Sequence, residues 1–204
     1  MHAKVSPQQT PHAHPRPAFK YRGVHHLVLN TEDIKMTIDF YSGVLGMPLV
    51  HAMKLPPGLG TGPKNRGNPP FENIRHYFFD MGNDSLLAFF ELPKGARRPV
   101  DRDGVAAMQH VAFSINASQV EDLVQRLDEA RIERIGPMEA APGVWSCYFY
   151  DPNGIRLEVS FQPAQADHQQ VYEAFIQTKE QMLKELRTVD DDPQWLEWAS
   201  SGAR

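Results

Sequence analysis

The sequence lacks the features that mark several large functional classes. It contains a single cysteine, Cys147, among 204 residues, so no internal disulfide can form and we expect a reducing, cytoplasmic environment. Its formal net charge is −4, and without a basic excess we expect no nucleic-acid partner. No apolar run approaches the roughly 20 residues that span a bilayer, and the polar N-terminus predicts no secretory signal. The remaining composition, 41% hydrophobic and 23% charged, is typical of a globular protein.

Prolines and glycines are concentrated in particular stretches, and these divide the chain. The polar, proline-rich start predicts a flexible arm. Residues 56–73 contain five prolines and four glycines, a density that excludes a helix or central strand and predicts an inserted loop. Near the end, residues 171–189 have the apolar spacing of an amphipathic helix of about five turns. The predicted organisation is an arm, two modules and a C-terminal helical extension, at 1–20, 21–95, 96–163 and 164–204.

The two middle segments repeat one pattern of secondary structure. In the first, the spacing predicts a strand at 23–29, a helix at 32–44, a strand at 48–55 and a hairpin of RHYFFDM and SLLAFFEL. In the second, MQHVAFSI predicts a strand, a helix follows Ser118, and IERIGP, VWSCYFY and IRLEVSF predict three more strands. The sequence therefore predicts an α+β fold of two tandem β-α-β-β-β modules.

Each module has a histidine in its first strand and a glutamate in its last, which makes four candidate metal ligands. The interval from His26 to Glu91 is 65 residues and that from His110 to Glu158 is 48. The difference of 17 is close to the 18 residues of the loop at 56–73, so the two pairs stand in equivalent places of the repeat. An ionised glutamate within an apolar strand is costly unless it is paired or binds a metal. This donor set suits Zn, Fe(II), Mn, Ni or Co.

Two coordination schemes are open. If all four side chains bind, an octahedral metal keeps two free positions. If only His26, His110 and Glu158 bind, the site is a 2-His-1-carboxylate triad with three free positions. His25 is the neighbouring alternative to His26, and because side chains alternate along a strand only one of the two can face the metal. Two further histidines, His51 and His76, lie on predicted strands and serve either in packing or as acid–base groups near the site.

The chain resembles the vicinal oxygen chelate superfamily, which includes glyoxalase I, methylmalonyl-CoA epimerase, fosfomycin-resistance proteins and extradiol dioxygenases. The resemblance covers about residues 22–162 and rests on HHLVLNTEDIKMTIDFYSGVLGMPLV, LLAFFELPKG, QHVAFSI and FYDPNGIRLEVSF. It implies that the two modules form a cupped, incomplete eight-stranded barrel around a divalent metal. It also implies a small-molecule substrate that binds the metal through neighbouring oxygens. The modules of such proteins pair within one chain or exchange between chains, so a homodimer is possible.

Two reactions known in this superfamily compete. Glyoxalase or epimerase chemistry, as lyase or isomerase, needs a metal-bound enediolate and a carboxylate that moves a proton, for which Glu91 and Glu158 are the candidates. Glyoxalase I typically has an arginine where this chain has Asn30, so lactoylglutathione lyase activity is not expected. We favour this non-redox class. A non-enzymatic alternative also stays open, in which the protein binds a drug without metal, as some resistance proteins of the superfamily do.

Extradiol ring cleavage of a catechol-like substrate is the alternative reaction. It would use the triad with Fe(II) or Mn(II), and Tyr148, ten residues before Glu158, resembles the tyrosine that assists such dioxygenases. Two objections arise from the same resemblance. Glu139, Ala140 and Ala141 stand where a histidine is expected before that tyrosine. A fourth ligand at Glu91 would also leave too few positions for a diol and dioxygen.

Overall fold

The computed structural model describes residues 23–54, 75–92, 94–95, 101–105, 107–141, 143–163 and 176–203. The predicted arm at 1–20 and the predicted loop at 56–73 lie outside these residues. The first module forms a four-stranded sheet in the order β1-β4-β3-β2, in which β1 runs parallel to β4. Its elements are β1 (His26–Thr31), α1 (Ile34–Ile38), β2 (Leu49–Lys54), β3 (Arg75–Gly82) and β4 (Ser85–Glu91). Helix α1 continues as a π-helical segment, Asp39–Val44.

The second module repeats this arrangement as a separate sheet in the order β5-β8-β7-β6. Strand β5 runs parallel to β8, and a 3-10 turn at Ala117–Gln119 leads into its helix. The elements are β5 (Val111–Ser114), α2 (Val120–Glu129), β6 (Arg134–Ala141), β7 (Val144–Tyr150) and β8 (Arg156–Phe161). The predicted α+β fold of two tandem modules is confirmed. The two four-stranded sheets are not closed into a barrel.

The helices begin at residues other than the predicted ones. The first helix begins at Ile34 rather than at residue 32, because the side chain of Asp33 accepts the capping hydrogen bond from Met36 N. In the second module, Asn116 and Gln119 form a reciprocal capping box, so the helical segment starts before Ser118. Both caps satisfy backbone N–H groups that would otherwise lack partners.

Each sheet has one apolar face, and both apolar faces pack around the helical segment of the first module. The ring of Tyr41 lies 5.7 Å from that of Phe79 and 5.0 Å from that of Phe89. The neighbouring Phe40 lies 6.4 Å from Phe149 of the second sheet. Because side chains alternate along a strand, the residues between these core positions point the other way. We call the opposite surfaces the outer faces of the first and second sheets.

Hydrogen bonds also join the two modules. Tyr41 is fully buried, and its hydroxyl donates to Asp151 at 3.1 Å. Thr31 donates to the side-chain oxygen of Asn153 at 2.8 Å. Asp151 itself accepts from the backbone N–H groups of Ile155 and Asn153. The first helix and the β7–β8 turn are therefore held together by buried polar contacts as well as by aromatic packing.

The C-terminal residues form two short helices, α3 (Lys179–Leu186) and α4 (Pro193–Ala199). A capping box of Thr178 and Gln181 starts α3, and residues 176–178 before it are not helical. The predicted continuous helix over 171–189 is therefore wrong, because the Thr178 side chain caps the backbone inside that range. Within the described ranges, no helix has both the length and the apolar character needed to cross a bilayer.

Candidate metal centre

The second sheet brings one predicted histidine–glutamate pair together. His110 Nε2 lies 3.0 Å from Glu158 Oε2. In the parallel pairing of β5 with β8, Ala112 is opposite Glu158. His110, two residues earlier on the same side of the chain, therefore faces the same surface. The Nδ1 of His110 is hydrogen-bonded to the side-chain oxygen of Gln109, which orients the ring and leaves Nε2 directed at the carboxylate.

The carboxylate of Glu158 is held in place by hydroxyl groups. Its Oε1 accepts from Ser146 at 2.5 Å, from Ser160 at 2.9 Å and from Tyr148 at 3.1 Å. Burial alone would raise the pKa of Glu158, but these hydroxyls and the adjacent His110 outweigh it, so that the pKa lies below its ordinary value. Glu158 is 9% exposed. Its ionised form is therefore stabilised, and its Oε2 remains on the side of His110.

Gly136 makes this arrangement possible, and the sequence analysis did not single it out. Its φ is +95°, and a Cβ there would lie 2.5 Å from the carbonyl oxygen of Ser146. Only glycine allows β6 to approach β7 this closely at the residue that holds Glu158. The signal was present as a glycine inside the short predicted strand IERIGP.

The outer face of the first sheet carries His26 among other aromatic rings. The imidazole of His26 lies 6.3 Å from Phe78, and that of His51 lies 5.6 Å from the same ring. His76 packs 4.2 Å from Phe78 and 4.1 Å from Phe90. The neighbouring His25 touches His26 through its Nδ1, at 2.8 Å. Three imidazoles from β1, β2 and β3 thus surround one phenylalanine.

His76 is the buried member of this group. It is 7% exposed, and its Nε2 has no hydrogen-bond partner among the described residues. Burial, together with the nearby His26 and His51, lowers the pKa of His76 to about 4. The ring is therefore neutral at physiological pH and keeps one unused polar nitrogen on this face.

Glu91 does not share a face with His26, contrary to the sequence prediction. In the β1–β4 pairing Thr31 is opposite Glu91, whereas His26 is opposite Leu86. Because Thr31 follows His26 by an odd number of residues, Thr31 and Glu91 point to the face opposite that of His26. Glu91 lies on the apolar-face side, where it accepts from Tyr77 at 3.0 Å and lies 3.8 Å from Arg75. A shift by an odd number of residues along a strand moves a side chain to the other face, and the count that equated Glu91 with Glu158 contained such a shift.

The residue of the first sheet that corresponds to Glu158 is Ala88. Val28, two residues after His26, is opposite Ala88, just as Ala112, two residues after His110, is opposite Glu158. The first module therefore offers a histidine without a matching carboxylate.

The four predicted ligands do not converge within one chain. Among the described residues, no group of three or more His, Cys, Asp or Glu side chains is placed to hold a metal ion. His110, Glu158 and Tyr148 are together on the second sheet. His26 and Glu91 lie on opposite faces of the first sheet. Within one chain, the described residues do not bring the four predicted ligands to one point, and their meeting between two chains stays a prediction.

Comparison with known families identifies the class of protein. A model of the Glyoxalase/Bleomycin resistance protein/Dioxygenase superfamily matches residues 23–159, more than half of the chain. The chain therefore belongs to this superfamily, and the resemblance drawn from its sequence is confirmed.

Several solved structures have the same fold. A glyoxylase/bleomycin resistance protein/dioxygenase domain from Frankia sp. EAN1pec is 19% identical, with a TM-score of 0.54 over 70% of this chain and 99% of that chain. A glyoxalase/dioxygenase from Nostoc punctiforme is 23% identical, with a TM-score of 0.52 over 74% and 99% of the two chains. A glyoxalase family protein from Enterococcus faecalis is 21% identical, with a TM-score of 0.50 over 69% and 98%. At these identities the likeness shows the fold alone.

Proposed function

We propose that the protein is a divalent-metal-dependent enzyme whose metal is held by His26, His110 and Glu158. The observation that carries this is the separation of 3.0 Å between His110 Nε2 and Glu158 Oε2. Two ligands at right angles around a metal, with bonds of about 2.1 Å, lie about 3 Å apart. Two imidazoles and one carboxylate also form the triad typical of non-haem Fe(II) sites. Such a metal suits a reducing compartment such as the cytoplasm, where we propose that the protein acts.

The third ligand, we infer, comes from a second copy of the chain. Both apolar faces are already used around Tyr41, so the two outer faces carry the ligands away from the shared core. His26 has no carboxylate opposite it on its own sheet, and the His110–Glu158 pair has no second histidine within the described residues. A two-fold dimer that sets the first sheet of one copy against the second sheet of the other would complete two equivalent sites.

The placement of Glu91 favours oxygen-dependent ring cleavage over enediolate chemistry. Because Glu91 lies on the other face, it is not a ligand in this proposal, and the triad leaves three coordination positions of the metal free. This removes the objection that a diol and dioxygen would have too few positions. When bound, an Fe(II) or Mn(II) ion would supply positions for two substrate oxygens and for dioxygen. The Tyr148 hydroxyl supports this proposal, because it donates to Glu158 at 3.1 Å and its oxygen could still accept a hydrogen bond from a substrate hydroxyl beside that carboxylate. We therefore propose an extradiol-type dioxygenase acting on a catechol-like substrate.

A metal-dependent isomerase or lyase is the second candidate. Glu158 is a weak base, because its ionised form is held by three hydroxyls. The observation that supports this class is the unused Nε2 of the neutral His76 ring, which could hydrogen-bond a substrate oxygen on the outer face of the first sheet.

The metal site is tested by comparing two glutamate variants. Glu158→Gln should lose bound Mn(II) or Fe(II), measured by elemental analysis after reconstitution and desalting. Glu91→Gln is the matched control and should keep the wild-type metal content, because Glu91 hydrogen-bonds Tyr77 on the apolar-face side. Equal metal loss in both variants would contradict the assignment. Absence of metal from the reconstituted wild type would favour the metal-free binding protein.

The reaction class is tested with and without oxygen. Reconstituted protein should consume dioxygen with a catechol, and this uptake should disappear in Glu158→Gln. Activity on an α-carbonyl or acyl-CoA substrate that continues without oxygen, and that falls in His76→Phe, would instead establish the isomerase or lyase.

A further inference from the structure

Next to Glu158, the outer face of the second sheet carries an arginine held on a tyrosine ring. The guanidinium of Arg156 lies 5.4 Å from the centre of the Tyr148 ring. Arg156 precedes Glu158 by two residues on β8, so both side chains point to the same face. Tyr148 connects them, since its hydroxyl donates to Glu158. A positive charge is thus fixed beside the proposed metal-binding carboxylate.

A second arginine extends this arrangement. The guanidinium of Arg102 lies 4.9 Å from the centre of the Tyr150 ring, and Tyr150 is opposite Arg156 in the β7–β8 pairing. The Nη1 of Arg102 is buried and has no hydrogen-bond partner in the described part of the chain. Neither guanidinium is paired with a carboxylate there. A buried, unused donor of this kind carries a free-energy cost that an anion would relieve.

Both arginines line the same cavity, which has a volume of about 940 Å³ and extends to Gln109, the residue before His110; the proposed metal ligands themselves do not line it. Three carboxylates also line it. Glu32 accepts from the backbone N–H of Gly95 and Asp101 from that of Asp103, so two of the three already have backbone donors. The cavity is large enough for a small organic molecule.

We propose that Arg156 and Arg102 form an anchor for an oxyanion of the substrate, so that the substrate carries a carboxylate in addition to its vicinal oxygens. This rests on the proposed function and specifies its substrate class. A guanidinium already seated on a tyrosine loses little freedom when it binds, and its planar fork matches two carboxylate oxygens. Arg156 and Arg102 are specificity-determining residues in this account, and Glu158 holds the metal.

The experiment compares catechol with 3,4-dihydroxybenzoate, which differs by one carboxylate. Binding of each is measured by calorimetry on the full chain, both reconstituted with Mn(II) and metal-free after dialysis. Wild-type protein should bind the carboxylated ligand at least about tenfold more tightly, as expected for one charge-assisted bidentate contact. Arg156→Gln should abolish that preference, and Arg156→Lys, which keeps the charge without the fork, should retain part of it. Arg126→Gln is the matched control, because Arg126 pairs with Asp122 on helix α2.

The outcomes separate this inference from the metal proposal. A carboxylate preference that is lost in Arg156→Gln and kept in Arg126→Gln supports the anchor in either metal state. If that preference is the same with and without Mn(II) and no turnover occurs, the anchor stands and the proposed function fails. Equal affinity for the two ligands in wild-type protein, no binding of either ligand, or a preference that survives in Arg156→Gln, would overturn the anchor.

Discussion

The junction between the two modules can be tested at a single hydroxyl. Tyr41 is fully buried, and its OH donates to Asp151, which is only 4% exposed. Burial raises the pKa of Asp151, and the hydrogen bonds from Asn153, Ile155 and Tyr41 only partly offset that effect. Removing the Tyr41 hydroxyl therefore takes a donor from a carboxylate that water cannot reach. A hydrogen bond to a charged group contributes about 1.5–3 kcal/mol, so Tyr41→Phe should lower the free energy of unfolding by about 2 kcal/mol.

The assay is urea unfolding at neutral pH, followed by circular dichroism, for Tyr41→Phe, Asp151→Ala and the double variant. Asp151→Ala removes acceptors from four donors and should cost more than Tyr41→Phe. The double-mutant cycle should show a coupling of about 1–2 kcal/mol, since the two residues are in contact. Tyr150→Phe is the control, because Tyr150 is 51% exposed, and it should change stability by less than about 0.5 kcal/mol. Wild-type stability in Tyr41→Phe, or zero coupling, would refute this account of the junction.

Two further predictions concern the sheets. His76 has a folded-state pKa of about 4, below its unfolded value. The neutral His76 ring therefore contributes fully to the free energy of unfolding above about pH 6.5, and about 3 kcal/mol of that free energy is lost as the pH falls towards 4. Urea unfolding measured at a series of pH values should show a smaller loss in His76→Phe. An identical dependence on pH in the two proteins would contradict this. Gly136→Ala places a Cβ 2.5 Å from Ser146 O and should lower the free energy of unfolding by about 3 kcal/mol. Gly154 also has a positive φ but has open space around it, so Gly154→Ala should lower that free energy by only about 1 kcal/mol. Equal losses in the two variants would contradict the close approach of β6 to β7 at Gly136.

Much of the fold could be predicted because its signals are local. The apolar run in SLLAFFEL and the alternating apolar residues in IRLEVSF identify β4 and β8. Asn83 and Asp84 mark the β3–β4 turn, where both adopt positive φ. The histidine–glutamate pair of the second sheet followed from the same patterns. The start of α3 was missed because Thr178 competes for the backbone inside an otherwise helical spacing.

The first-sheet glutamate could not be placed by counting. Residue counts across the 56–73 loop do not fix the register of β4. Glu91 lies three residues after Ala88, the equivalent of Glu158, and this odd number puts it on the other face. His76 was named, but its burial and its unused nitrogen depend on Phe78 and Phe90, which come from two strands. Nor does any local pattern say which sheets face each other, because that depends on packing around Tyr41 rather than on periodicity.

The central claim is that a metal binds between His26 of one copy and His110 and Glu158 of another. The most direct measurement is the metal content of a mixture of His26→Ala and Glu158→Ala chains, refolded together and reconstituted with Mn(II). Each variant alone should bind no metal. In a mixed dimer one of the two sites has only wild-type ligands, so the equimolar mixture should recover about a quarter of the wild-type metal, and activity in proportion. If the mixture binds no more metal than the separate variants, the site is not shared between chains and the account is wrong.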